Sequence, residues 1–211
     1  MGTKQFLKGP YARAIVAVEK GDREEAIRQI RELNESSTQV HDRLVKYVNL
    51  LLSFIARDVG EEKVREAWRY VIERLHKRGF LALKGRPFRE IVKVLQDEHL
   101  AHVSEFTVEE DPDKATFALY CCGSGGRLRK TGSSGTEGEL QSAHPWSFGR
   151  KGISYYCSHC SIVTEDSPDW DAGFKIQVKY GEQFDKEGTS VADPCRFEII
   201  RTKSKPGGQE D

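Results

Sequence analysis

Apolar residues recur at intervals of three and four through the first 98 residues, which is the spacing of amphipathic helices. Gly21-Asp22 is predicted to join the first two helices, and Glu35-Ser36-Ser37-Thr38 to separate the second from the third, because Ser and Thr favour helix starts. The apolar rows predict a helical bundle that covers a sheet or pairs with a second copy of the chain. The predicted helices span 11–20, 22–33, 39–59, 61–78 and the residues from 87 onward.

After Val103 the pattern changes to alternation of apolar and polar residues, which is typical of strands with one buried face. The expected fold class is therefore α+β, with an N-terminal helical bundle packed with a C-terminal antiparallel sheet. The helical region is assigned to residues 1–98, the β-rich region to 99–203 and a disordered polar tail to 204–211. The predicted strands span 103–110, 115–122, 173–180 and 195–201.

Composition limits the classes of partner and the compartment. The chain has 211 residues and no formal net charge, and it contains no basic run interleaved with aromatic residues, so nucleic acid is not an expected partner. The longest apolar stretch, Val48 to Ala56, is too short to cross a bilayer, and the N-terminus has no signal peptide pattern. We expect a cytoplasmic protein, in which five cysteines are better candidates for metal ligands or catalytic groups than for disulfides.

A metal site is predicted from the segment between Tyr120 and Cys160, which holds four of the five cysteines. Cys157-x-x-Cys160 has the spacing with which two thiolates reach one tetrahedral zinc ion. Cys122 ends a predicted strand, and His144 lies on the Gly/Ser-rich loop that returns towards Cys157. A Cys3His zinc site at Cys122, His144, Cys157 and Cys160 would anchor this loop, whose length is otherwise uncommon inside a domain.

Several alternatives to this ligand set stay open. Cys121 and Cys122 point to opposite faces of a strand, so only one of them can ligate, and His159 could replace His144. Buried thiols without a metal, or a redox Cys-x-x-Cys, would also fit the pattern. Four protein ligands would make the zinc structural, whereas three would leave a position for water and free His144 or His159 to act as a base.

The run Gly123-Ser124-Gly125-Gly126-Arg127 is the second candidate for chemistry. Successive backbone N–H groups in such a run can bind an anion, and Ser124, Arg127 and Arg129 could hold a carboxylate or phosphate. The run lacks the Gly-Lys-Ser/Thr ending of a P-loop and is not predicted to open a helix, so nucleotide hydrolysis is not expected.

His99-x-x-His102 lies near the end of the fifth predicted helix. Residues three apart on a helix can share a metal ion, as in the sites of helix bundles, which also draw ligands from other helices. The alternative, which we favour, is that His102 complements the negative end of the helix dipole.

The last 100 or so residues resemble the L-2-amino-thiazoline-4-carboxylic acid hydrolase family and the related 4-vinyl-reductase-type ligand-binding domains. Tyr156-Cys157, a hairpin after it, and Cys195 preceding Phe-x-Ile carry the resemblance. The Cys-Ser-His-Cys turn ending at Cys160 departs from the hydrolase pattern. The combination of Cys122-Gly-Ser-Gly-Gly-Arg127 with Tyr156-Cys157-Ser-His-Cys160 also resembles uncharacterised bacterial proteins.

Two functions from different classes are compatible with these motifs. The first is a zinc-dependent hydrolase or lyase acting on an anionic small molecule, in which His159 or His144 moves protons and Ser124, Arg127 and Arg129 hold the substrate. The second is a non-catalytic, zinc-stapled ligand-binding or regulatory domain, whose helices form a homodimer. Neither requires nucleic acid or a membrane.

Overall fold

The computed structural model describes residues 9–133, 135–185 and 187–202. Helices fill the N-terminal half and a four-stranded antiparallel sheet lies in the C-terminal half, so the predicted α+β class is confirmed. The chain divides into two compact units between Leu44 and Val45, and the helices of residues 45–98 belong to the unit that contains the sheet. The predicted division at residue 98 stays a prediction. The tail at 204–211, predicted to be disordered, lies outside the described residues.

In the first unit, helix α1 (Pro10–Glu19) is followed by the turn at Gly21 and by the start of α2 (Arg23–Asp58), which continues into the second unit. Gly21 has φ +73°, which favours glycine, and the Glu25 N–H donates to Asp22 Oδ1 at 3.0 Å. Several large apolar side chains on these helices are exposed, and the predicted homodimer stays a prediction.

The interruption predicted at residues 35–38 is wrong, because α2 is continuous through it. Ser36 Oγ donates to the backbone carbonyls of Glu32 at 2.7 Å and Leu33 at 3.1 Å. This local bonding satisfies the hydroxyl inside a helix, so the serine does not have to cap one.

The remaining helices before the sheet are α3 (Glu61–Arg74), α4 (His76–Leu81) and α5 (Phe88–Ala101). The single helix predicted over 61–78 is thus divided at Leu75. These helices and the end of α2 contribute a row of buried apolar side chains to the core of the second unit: Leu52, Val64, Trp68, Ile72, Phe80, Phe88, Ile91, Val92 and Leu95.

The sheet consists of the strands β1 (Glu105–Asp111), β2 (Lys114–Cys121), β3 (Phe174–Lys179) and β4 (Cys195–Arg201). Their order is β1-β2-β4-β3, with every neighbouring pair antiparallel. Alternate residues of β2 and β3 are buried, among them Phe117 and Ile176, and Ile199 of β4 is buried on the same face, so this face packs on the core.

Two helices lie between β2 and β3. The glycine run opens α6 (Gly125–Lys130), contrary to expectation, and the Cys-x-x-Cys motif lies at the start of α7 (Ser158–Asp166), after a short 3-10 turn at Tyr155–Cys157. None of the described helices combines the length and apolar character that crossing a bilayer requires.

Candidate functional site

A cavity of about 160 Å³ lies inside the second unit, between the helices and the sheet. Four cysteines and four histidines line it, from segments far apart in the chain. The thiols belong to Cys122, Cys157, Cys160 and Cys195. The imidazoles belong to His76, His99, His102 and His159.

The cysteine sulfurs of the cavity lie close enough to affect one another. Burial is the main cause that raises the pKa of Cys122, and the charge of Cys160 adds to it. Burial raises the pKa of Cys157 to about 12, with contributions from Cys122 and Cys160, and burial alone raises the pKa of Cys160 to about 12. Burial also raises the pKa of Cys195, and the charges of the other three add to it. Without a cation among them, these groups are therefore neutral thiols at physiological pH.

Hydrogen-bond donors already point at two of these sulfurs. The Gly126 N–H at the start of α6 donates to Cys122 Sγ at 3.0 Å, and Ser154 Oγ donates to Cys157 Sγ at 3.2 Å. Donors of this kind favour the thiolate form and tune a metal held by it.

His159 is held in one tautomer beside Cys160. Its Nδ1 lies 2.6 Å from the Tyr156 carbonyl oxygen, which can only accept, so Nδ1 carries the proton. Burial lowers the pKa of His159, and the neutral ring presents the lone pair of Nε2 to Cys160 Sγ at 3.3 Å. Trp68 packs against the ring with centroids 5.0 Å apart, and His76 stacks on it at 6.1 Å.

Burial shifts the pKa of three titratable residues on the helical side of the cavity towards the neutral form. Burial, with smaller effects of other histidines, lowers the pKa of both His76 and His99 to about 4. Burial raises the pKa of Glu98, which lines the same wall.

His144 is not brought to the cysteines. Its Nε2 lies 2.9 Å from Glu61 Oε2 and its Nδ1 lies 3.2 Å from Glu62 Oε1, so both ring nitrogens face carboxylates of α3. The ring stacks on Trp146 at 4.5 Å and does not line the cavity. Because both nitrogens are engaged there, the predicted ligand and base roles of His144 have no support in this arrangement.

The start of α3 holds the long segment between β2 and α7 through hydrogen bonds to Glu61. Glu61 accepts hydrogen bonds from the Tyr155 hydroxyl at 2.9 Å and the Gln141 N–H at 2.6 Å, besides its contact with His144. Burial would raise the pKa of Glu61, but these partners together hold it below the ordinary value of 4.5.

Glu61→Gln is expected to lower the free energy of unfolding by about 2 kcal/mol at pH 7, the usual contribution of hydrogen bonds to a charged group. A carboxyl with a lowered folded-state pKa stabilises the fold above its unfolded-state pKa, and this contribution is lost as pH falls through the folded-state value. The difference between variant and parent should therefore shrink from pH 5 downward in urea unfolding.

Glu66→Gln is the matched control on the same helix. Glu66 is exposed and, among the described residues, pairs with Lys63, so its removal should change stability by less than about 0.5 kcal/mol. If Glu61→Gln lowered the free energy of unfolding by the same amount at every pH, the carboxylate charge would have no role in stability.

Of the predicted substrate-binding residues, Ser124 lines the cavity, whereas Arg127 and Arg129 do not. The Arg129 guanidinium donates to Glu182 and, at 3.3 Å, to the Phe184 carbonyl, and it lies 5.6 Å from the centroid of the Tyr180 ring. The predicted pair of arginines around a bound anion is therefore not assembled at the cavity.

Sequence analysis missed Tyr180 and Glu98 as lining residues and gave Cys195 no role in the site. Alternation places Tyr180 next to β3 and Cys195 on β4, but it does not show that both face Cys157 across a cavity. Cys121, the alternative to Cys122, is buried but does not line the cavity.

Among the described residues, no three Cys, His, Asp or Glu side chains are grouped tightly enough to hold a metal ion in their present rotamers. Rotation of the cysteine side chains would be needed to bring their sulfurs onto one ion. Searches for similar proteins found no protein-family model, curated protein or solved structure that matches the chain. The resemblance to the thiazoline carboxylate hydrolases therefore stays a prediction.

Proposed function

We propose that Cys122, Cys157 and Cys160 hold a zinc ion at the wall of the cavity, and that the protein is a small-molecule hydrolase or lyase. This zinc site would also anchor the segment between β2 and α7, together with the Glu61 contacts.

The observation that carries the proposal is that these three cysteines line one cavity. They are also near enough for a negative charge on one sulfur to raise the pKa of another. Cys122 is separated from Cys157 and Cys160 by α6 and the long loop that follows it, so their meeting depends on the tertiary fold. Buried thiols with raised pKa values are costly to ionise alone, and a divalent cation offsets this cost. The Gly126 N–H and the Ser154 hydroxyl would support the thiolates.

Zinc supplies Lewis acidity at such a centre. His159 is the group placed to move a proton, because its fixed Nδ1–H leaves the basic Nε2 beside Cys160. Ser124 lies on the same wall and could donate to a bound molecule.

Cys195 favours a second candidate function, a closed zinc site in a ligand-binding or regulatory domain. Negative charge on Cys122, Cys157 or Cys160 raises the pKa of Cys195, so these sulfurs are near one another. Cys195 could therefore complete a set of four thiolates. X-ray absorption of zinc-loaded protein distinguishes the two, since four sulfur ligands would leave no position for water.

The test is zinc content after purification with reductant and zinc. The parent protein should hold one equivalent of zinc, and Cys122→Ser and Cys160→Ser should each lose most of it. Cobalt substitution should give the intense near-ultraviolet absorption of thiolate coordination in the parent, and this absorption should be lost in Cys122→Ser and Cys160→Ser.

Cys121→Ser is the matched control, because Cys121 is adjacent in sequence and buried but does not line the cavity. It should keep its zinc. Absence of zinc from the folded parent, or equal loss in the Cys121 and Cys122 variants, would overturn the proposal.

A further inference from the structure

The walls of the cavity are mainly aromatic and aliphatic. Rings from α3, α4, the loop before α7 and β4 surround it, supplied by Trp68, Phe80, Phe148, Tyr156 and Phe197. Its volume of about 160 Å³ matches the roughly 150 Å³ of apolar cavities that hold a benzene-sized guest. A ligand that fills it has about the size of one substituted ring.

Histidines are the only basic side chains among the described residues of the cavity wall. Among the described residues that line it, none is Lys or Arg, and the nearby Arg129 is engaged by Glu182. His76 and His99 are neutral at physiological pH, because burial lowers the pKa of each to about 4. Three thiolates would also outweigh the charge of one zinc ion. Removing water from an anionic ligand would therefore cost free energy that no lysine or arginine of the described wall offsets.

One buried polar group of the wall has no hydrogen-bond partner in the described part of the chain. The Tyr180 hydroxyl is buried and makes no hydrogen bond with the described residues, although Tyr180 lines the cavity. Its ring is held by Phe148, with centroids 5.6 Å apart, and by the guanidinium groups of Arg129 and Arg150, at 5.6 and 5.4 Å from the ring centroid. An unpaired buried hydroxyl is costly, and a ligand oxygen that accepts from it would remove the cost.

We infer that the cavity binds a neutral, ring-sized molecule with a carbonyl oxygen that accepts a hydrogen bond from Tyr180 Oη. The inference deepens the proposed function, on which it rests for the reaction, by naming the substrate class. It replaces the anionic substrate expected from the arginines with a neutral carbonyl compound, such as an amide, ester or ketone. Carbonyl compounds are also substrates on which hydrolases and lyases act.

Three probes of nearly equal size test this inference by calorimetric titration: benzamide, benzoate and isopropylbenzene. Benzamide is expected to bind with a Kd at least tenfold lower than that of benzoate, because only benzoate carries a charge into the cavity. Tyr180→Phe should weaken benzamide binding about fivefold, the effect of one neutral hydrogen bond, and leave isopropylbenzene unchanged.

Tyr70→Phe is the control, because Tyr70 lies on α3 with an exposed ring. It should bind all three probes as the parent does. Benzoate binding as tight as benzamide binding, no binding of benzamide at millimolar concentration, or equal weakening of benzamide and isopropylbenzene in Tyr180→Phe would each overturn the inference.

The titrations are made on both zinc-loaded protein and the zinc-free Cys122→Ser variant, so the two proposals fail separately. Discrimination against benzoate in a parent that binds no zinc would refute the metal centre and support the ligand class. A zinc-loaded parent that does not discriminate would refute the ligand class alone.

Discussion

Replacing Gly123 with alanine is expected to destabilise the second unit by about 3 kcal/mol, at the upper end of the usual cost of overpacking. The added Cβ would lie 1.7 Å from the carbonyl oxygen of His102 and 2.7 Å from its carbonyl carbon. These atoms belong to the backbone that ends α5, so no side-chain rotation can relieve the clash. The Gly123 N–H also donates to Ser104 Oγ at 2.9 Å, and a backbone shift would break this bond. The measurement is the free energy of unfolding in urea.

Gly79→Ala is the matched control for this variant. Gly79 lies in α4, and a Cβ there would meet no atom within 4 Å. Alanine in a helix reduces the conformational entropy of the unfolded chain, so this variant should be as stable as the parent or up to about 1 kcal/mol more stable. Equal stability of the Gly123 and Gly79 variants would show that the close approach to α5 is not obligatory.

The glycine run illustrates what the sequence could and could not predict. The sequence predicts that the successive backbone N–H groups of this run bind an anion. The structure has the end of α5 against Gly123 and the Cys157 sulfur near Gly125, where a Cβ would lie 1.9 Å from Sγ. Glycine content reports the need for space, but it does not identify the neighbouring atoms.

Periodicity predicted the α+β class and the four strands, because burial of one face imposes its period on the residues. It failed at Ser36, where a polar hydroxyl bonds within its own helix, and at Leu75, where one apolar pattern spans two helices. Local patterns do not encode such choices, since the energies that decide them are small and depend on the surrounding packing.

Residue type and spacing in the sequence were enough to predict the cysteines of the candidate site, but not its histidine. Cys122, Cys157 and Cys160 line one cavity, and their role as zinc ligands stays a prediction. His144 has the right residue type and a suitable position in the chain, yet it lies against Glu61, a partner 83 residues away. Acidic residues are common in the first turn of exposed helices. Glu61 and Glu62 at the start of α3 therefore do not indicate a contact with His144.

Asn49→Leu is expected to lower the free energy of unfolding by about 3 kcal/mol. Asn49 is fully buried on α2, where its Oδ1 accepts from the Tyr156 N–H at 2.9 Å and its Nδ2 donates to the Gly138 carbonyl at 3.2 Å. Leucine of similar volume would leave both backbone groups buried without partners, at roughly 1–3 kcal/mol each. Its greater apolarity would offset only part of this cost.

The same substitution should also weaken the proposed zinc site, because Tyr156 precedes Cys157 and its carbonyl fixes the His159 tautomer. Asn34→Leu is the matched control, since Asn34 lies on the same helix with an exposed side chain, and its stability should change by less than about 0.5 kcal/mol. The two variants therefore separate a general effect of leucine on α2 from the loss of the Asn49 hydrogen bonds. An Asn49→Leu protein as stable as the parent would mean that water or a backbone shift satisfies Tyr156 and Gly138, and that α2 does not hold the Cys-x-x-Cys turn in place.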